Sequence, residues 1–429
     1  MGFPHDAYDL PSQSDINRTK DVISEWTILL QSATEIAEQA NALIRRLNDD
    51  IDALKAQIAP IKRLPFDILT HIFIEAANQD PLAPLTIELV CTTWRSYILK
   101  THRAWSCVSL GEKFNPAIML KYLTRSESFP VHLNMYGSSI KMIEQASIHI
   151  SEHAPRIRTL ELEASSFRNR GWRMNSLKCL RVFGDVTPDV LFGELEWGEM
   201  KVEYLEFTPF RFRSSSKPTI RQHFPHLQHL VMGEQTNDSS SWLLIVEECH
   251  LTLKTLNISI TGYARFQDSE RLALQFPSLK HLGIEVKDSY GGMNWPFDAI
   301  TPLLRSYKEI HGRSDRLSPD VFHMGTEQVI HLQTNTVPRL EQYPSLECLH
   351  ISSTTPSIDT ATFKTILATA RRLCKGFKAL YLDDPNGRVV EGGGSFVWRV
   401  DDGGDVSGEV LWGVPSRCLL DQSFSEFGR

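Results

Sequence analysis

The sequence predicts an α/β protein. A long N-terminal helix and a small helical unit lead into a solenoid, with parallel strands on its concave face, helices outside and a short β-rich C-terminal end. Three observations predict this. Residues 20–59 contain neither Gly nor Pro and place apolar residues at alternating steps of three and four. Residues 60–104 open with two prolines and then resume helical spacing in short pieces. From residue 105 onward a phrase of the form apolar, two residues, apolar, one residue, apolar keeps returning.

Composition sets the bounds. At 429 residues and 41% apolar content the chain is long enough for more than one domain and a sizeable core. A net charge of −7 points away from nucleic acid or an anionic membrane as partner. The seven cysteines are scattered without a CxxC pair, as expected of reduced thiols in a cytoplasmic or nuclear protein. "MGFPHDAYDLPSQSD" lacks the basic and apolar regions of a signal peptide, and residues 1–19 are expected to be disordered. No run of eighteen apolar residues is present.

The first helix, 20–59, carries Ile23, Trp26, Leu30, Ala33, Ala37, Ala40, Ile44, Leu47, Ile51, Leu54 and Ile58 on one stripe. Those are heptad positions a and d, and Ile at a with Leu at d suits two parallel strands. Leu29, Ile36 and Leu43 fall at g, which makes the stripe wider than a simple seam, and Asp50 and Lys55 have the spacing of a g–e′ pair. Two outcomes fit: a homodimer through residues 20–59, or an amphipathic helix packed on its own protein.

Pro60 ends that helix, and Pro65 suits the first turn of the next, with Asp67 near its positive end. Leu64, Ile68, Leu69, Ile72 and Phe73 form a broad apolar face; after "NQDPLAP" the residues Leu85, Leu89, Val90, Trp94, Ile98 and Leu99 are again helically spaced. So few residues lie at the lower limit of an autonomous core, and such a unit has apolar surface to spare for a partner.

"LPFDILTHIF…LVCTTWRSYI" resembles an F-box, whose pattern is Leu-Pro-x-Glu-Ile-Leu followed a few dozen residues later by Val-Cys-x-x-Trp-Arg. Leu64, Pro65, Ile68, Leu69, Ile72 and Phe73 match the first half, and Val90, Cys91, Trp94 and Arg95 the second; Asp67 stands where Glu is usual and keeps the charge. The coil ending in a proline is similar to that of fungal F-box-like proteins. The resemblance covers residues 40–110. It implies that this unit, Leu89 included, binds a Skp1-type adaptor and through it a cullin ubiquitin ligase.

The recurring phrase appears as Trp105-Val108-Leu110, Ile157-Leu160-Leu162, Leu177-Leu180-Val182, Val202-Leu205-Phe207, Leu227-Leu230-Met232, Leu253-Leu256-Ile258, Leu279-Leu282-Ile284, Leu346-Leu349-Ile351 and Phe377-Leu380-Leu382. Its last positions at 182, 207, 232, 258 and 284 lie 25, 25, 26 and 26 residues apart. That period with LxxLxL is the signature of leucine-rich repeats, here over 105–382. "FPVHLNMY" reads as an extra irregular strand. Phe224-Pro225, Phe276-Pro277 and Tyr343-Pro344 mark the entry to strands. "SSWLLIVEECH" and "SERLALQF" are compatible with helix. The period lapses between Ile284 and Leu346, where degenerate repeats or an inserted loop fit, and degenerate repeats are expected. Residues 383–429 alternate β-prone runs with Gly and Asp turns, as a hairpin or meander capping the solenoid would.

Residues between the core leucines face the concavity: Glu161, Glu163, Arg181, Phe183, Tyr204, Glu206, His229, His281, Glu285 and His350. Such a mixed surface suits an unidentified target protein. It contains no nucleophile, base and orienter set, so no enzyme activity, cofactor or metal is expected. His229 and His281 stand two repeats apart, about 10 Å at the usual strand spacing, too far to share a metal. "EGGGSF" lacks the Lys of a phosphate loop, and "DDGGDVSGE" lacks EF-hand spacing. The leading expectation is a substrate-recognition subunit of a cullin ubiquitin ligase; the alternative is a repeat scaffold for protein interaction outside any ligase.

Overall fold

The structure, a computed structural model, describes residues 12–58, 60–110, 115–164, 172–186, 201–210, 220–235, 241–261, 272–287, 297–311, 326–352, 360–383, 395–400 and 406–411. The chain divides into two compact units, Met1–Ile72 and Phe73–Arg429.

In the first unit helix α1 spans Gln13–Ile58, a 3₁₀ turn spans Pro60–Arg63, and helix α2 (Phe66–Gln79) begins. Helix α1 starts earlier than the sequence reading allows. The disorder expected for 1–19 does not hold from Gln13 onward, because Ser12 and Asp15 close a capping box. The Ser12 hydroxyl donates to Asp15 Oδ2 at 2.6 Å, and the Asp15 amide donates to Ser12 Oγ at 3.2 Å. Residues 1–11 lie outside the described ones. The apolar stripe of α1 is exposed from Ile23 to Leu54, with Trp26 70% exposed.

The second unit continues with helices α3 (Ala83–Val90) and α4 (Thr92–Lys100), then strand β1 (Cys107–Ser109). Helix α5 (Pro116–Arg125), strand β2 (Val131–Asn134), helix α6 (Ile140–His153) and strands β3 (Ile157–Glu163), β4 (Cys179–Val186) and β5 (Tyr204–Phe210) follow. Then come helix α7 (Ile220–His223), strand β6 (His229–Gln235), helix α8 (Ser241–Cys249) and strands β7 (Thr255–Thr261), β8 (Leu272–Gln275), β9 (His281–Lys287) and β10 (Phe297–Ile300). The last elements are β11 (Ser306–His311), β12 (His331–Thr334), β13 (Cys348–Ser352), helix α9 (Thr360–Leu373), β14 (Ala379–Asp383), β15 (Ser395–Val400) and β16 (Val406–Leu411).

Twelve strands, β1 to β14 without β8 and β10, form one parallel ladder, and β15 and β16 extend it antiparallel. The chain is thus α/β with a large parallel sheet. Register explains the repeat. Leu133, Leu160, Leu180, Leu205, Leu230, Leu256 and Leu282 pair rung to rung, followed by Tyr307, Leu332, Leu349 and Leu380, and all are buried. A one-residue slip would turn this whole row to the other face. A turn precedes most strands: Leu227 N donates to Phe224 O at 3.1 Å and Leu346 N to Tyr343 O at 3.1 Å, across Pro225 and Pro344.

Degenerate repeats do fill the lapse in the period, as strands β11 and β12. Glu309 and Thr334 hold the last apolar place of the phrase there, and the Tyr307 hydroxyl donates to Glu309 Oε2 at 2.7 Å. The segment between β7 and β9 departs from expectation. In "SERLALQF" the described part is not helix: Leu272–Gln275 is a strand paired in parallel with Phe297–Ile300. Leu274 and Phe276 are buried while Ala273 and Gln275 are exposed, a period of two rather than 3.6. The expected hairpin near the C-terminus is present as β15 and β16. "EGGGSF" and "DDGGDVSGE" begin outside the described residues, and most of "KDSYGGMNWPFDA" and "HGRSDRLSPD" lies there too.

Candidate functional site

The residues matched to the adaptor-binding pattern divide into two groups. Ile68 and Ile72 on α2 are 47% and 45% exposed, and Leu89 and Val90 at the end of α3 are 76% and 56% exposed. Pro65 is exposed at the start of α2, where its carbonyl accepts from Leu69 N at 3.1 Å, and Leu64 is half-buried. Leu69 and Phe73, by contrast, are buried, which corrects their expected place on an open face. One helix cannot turn residues at i and i+1 to the same side. Ile68 and Ile72 therefore face out, and Leu69 and Phe73 face in.

The second half of the pattern builds the helix pair. Cys91 is the N-cap of α4, and its sulfur accepts from Trp94 N at 3.4 Å. Trp94 is half-buried and packs on Phe73 with ring centroids 5.2 Å apart. Arg95 Nε donates to the Glu88 carbonyl at 3.1 Å, which ties α4 back to α3. The Glu88 carboxylate takes both Arg125 nitrogens at 2.7 and 3.0 Å and Lys121 Nζ at 2.9 Å, which anchors α3 to α5. The Arg125 hydrogen bond, assisted by Lys121, holds the Glu88 carboxyl down at about 2 against the desolvation of its site. Trp105 Nε1 donates to Ile98 O at 2.9 Å, so the turn that leads into β1 is fastened to α4.

On the sheet, adjacent rungs gather four of the expected target-facing residues. Arg181 Nη1 lies 2.5 Å from Glu161 Oε1, Arg181 Nε lies 3.1 Å from Glu206 Oε2, and the Tyr204 hydroxyl donates to the same Glu206 oxygen at 2.7 Å. The Arg181 guanidinium stands over the Tyr204 ring at 5.4 Å. Burial, then the Glu206 carboxylate, push the Tyr204 hydroxyl up, so it stays a donor. His132 Nε2 joins from β2, 3.5 Å from Glu161 Oε1. Phe183 meets Tyr136 edge to face at 4.9 Å.

His229 is buried, with Nδ1 3.0 Å from Thr255 Oγ1; burial, then Lys254 and His281, bring it down to about 4. Sequence reading missed the third member of this row. His281 pairs with Ser306, which pairs with His331, so His229, His281 and His331 recur on alternate strands. Positions 281, 306 and 331 are each 25 apart, a signal that residue type concealed. Glu285 and His350 lie on β9 and β13, away from the Arg181 network. No cluster of three metal-ligating residues occurs among the described residues.

One residue before each strand a second row runs along the sheet. Lys178 Nζ pairs with Glu203 at 2.6 Å near one end and Lys378 Nζ with Glu347 at 2.7 Å near the other. Between them Lys254, Lys280 and Arg305 stand on successive rungs, exposed and with no acidic partner among the described residues. A cleft of about 390 Å³ opens where β3 and β4 begin, lined by Arg156, Arg158, Lys178, Lys201, Ser128 and Ser176 among others. Arg156 is taken up by the Ser126 hydroxyl at 2.8 Å and the Phe129 carbonyl at 3.1 Å. The lining offers charge and hydroxyl donors rather than a nucleophile with its base.

No family model matches the chain, and no characterised protein matches it in sequence. No helix among the described residues is long and apolar enough to cross a membrane.

Proposed function

We propose that this chain is a substrate-recognition adaptor of a cullin ubiquitin ligase. Its F-box-like helices bind a Skp1-type adaptor, and its leucine-rich repeats bind a target protein. The observation that carries this reading is made in each unit by itself: Ile68 and Ile72 are exposed on a helix turn whose Leu69 is buried, and Leu89 and Val90 are exposed on a helix whose Ile87 is buried. Exposed apolar side chains at fixed places on well-packed helices suit a protein contact. Cys91, Trp94 and Arg95 set the α3–α4 geometry that presents Leu89 and Val90. The chain itself breaks no bond; it holds a target beside a ubiquitin-loaded enzyme, so its contribution is proximity. The exposed row Lys254, Lys280 and Arg305, without an acidic partner among the described residues, favours a target that offers an acidic segment.

A second reading has one observation behind it. Glu88 with Arg125 and Lys121, and Trp105 with Ile98, bind α3 and α4 firmly to the first repeat. The helices would then be the N-terminal cap of an interaction scaffold that works without a ligase. Affinity capture with mass spectrometry separates the two. Wild type should recover the adaptor and a cullin, and Ile68→Glu with Leu89→Glu should lose both while retaining repeat-bound proteins. Recovery of repeat-bound proteins alone by both forms supports the scaffold.

A further inference from the structure

Helix α1 has 46 residues, about 69 Å at 1.5 Å per residue, and its large apolar side chains from Val22 to Leu54 are exposed. We propose that a second copy of this chain covers the stripe, in a parallel two-stranded coiled coil. The heptad supplies the seam: Ile16, Ile23 and Leu30 at a in the first half, and Ile44, Leu47 and Ile51 in the second. Orientation follows from the flanks. The helix starts at Gln13, which adds Asp15 at g and Lys20 at e to the pair Asp50 and Lys55. In a parallel dimer g faces the e′ five residues on, so Asp15 meets Lys20′ and Asp50 meets Lys55′, twice each by symmetry. Turned head to tail, e meets e′ and g meets g′. The e positions Lys20, Thr27, Thr34, Asn41, Asn48 and Lys55 include no acid. The g positions, from Asp15 to Gln57, include no base. No antiparallel register can therefore form an e or g ion pair.

The broad stripe has the same explanation. Where the seam shrinks to Ala33, Ala37 and Ala40, two helices can draw closer, since interaxial distance follows the side chains at the contact. Leu29, Ile36 and Leu43 at g then reach the partner helix. Farther along the large residues Ile44, Leu47 and Ile51 set the helices apart, and g becomes Asp50. A wide flank beside a narrow seam and a charged flank beside a wide one are what a self-pairing helix needs. Dimerisation would also place two target-binding faces in one assembly, raising apparent affinity for a multivalent target.

The test is sedimentation of the full chain from about 0.1 to 50 μM. Wild type should give twice the chain mass at low micromolar concentration. Leu47→Glu with Ile51→Glu should give a monomer whose near-UV signal from the repeats is unchanged. Asp50→Lys should weaken the dimer roughly ten-fold, and adding Lys55→Asp should restore it. A wild-type monomer at 50 μM, or a dimer unaffected by the seam variant, overturns the proposal; failure of the charge swap to rescue overturns the parallel arrangement.

Discussion

Asn257 lies across Gly283 on the neighbouring rung: a Cβ placed on Gly283 would fall 1.8 Å from Asn257 Oδ1. The glycine is there for space rather than for backbone freedom, since both residues belong to paired strands. Gly283→Ala alone should destabilise by about 1 kcal/mol, because Asn257 must swing out of its site. With Asn257→Ala the sign should reverse, and the added methyl should stabilise by roughly 0.5 kcal/mol by restricting the unfolded chain. A double-mutant cycle by urea unfolding measures the coupling.

Glu88 gives a pH window of its own. Its folded value, about 2, lies below the ordinary 4.5, so the carboxylate's stabilisation is complete above 4.5 and is lost as pH falls towards 2. Glu88→Gln should cost about 2 kcal/mol at pH 7. The difference from wild type should shrink steadily below pH 4.5 in denaturant titrations.

The histidine row acts higher on the scale and also penalises acid. His229 is lowered from 6.5 to about 4, and His281 and His331 are lowered chiefly by burial. Their neutral forms are the folded forms, so stability is full above 6.5 and falls as pH drops from 6.5 through 4. Lys254, Lys280, Lys378, Glu203 and Glu347 are the charged groups that act on the row. His229→Gln, which stays neutral, should flatten the decline by about 2 kcal/mol between pH 7 and 4. In the wild type an NMR titration should keep the His229 ring neutral at pH 5.

Reversing the exposed cations tests the character of the target. Lys254→Glu with Lys280→Glu and Arg305→Glu should leave melting temperature within a few degrees of wild type, since each side chain is exposed. Target capture should fall, and capture by wild type should weaken as salt rises.

Most of the ladder was legible because the phrase and its period record one buried row. It went silent at β11 and β12 because Glu309, which accepts from the Tyr307 hydroxyl, and Thr334 stand where the other repeats carry an apolar side chain. The start of α1 was hidden because a capping box is a pair of polar residues within an otherwise polar stretch. The short helices were legible as helices but not in their facing: Ile68, Leu69, Ile72 and Phe73 are all apolar, and only packing decides which pair turns inward. The Arg181 network could be read as residues of one face; that they pair with one another required register.

The proposed adaptor contact requires that the exposed pair Ile68 and Ile72 and the exposed pair Leu89 and Val90 each be available to a partner. Titration calorimetry of the full chain with a purified Skp1-type adaptor tests it most directly. Micromolar or tighter one-to-one binding per chain, abolished by Ile68→Glu with Leu89→Glu in a protein whose repeats still melt cooperatively, is the predicted result. No heat of binding from a well-folded wild type, or binding that the double variant leaves unchanged, would contradict it.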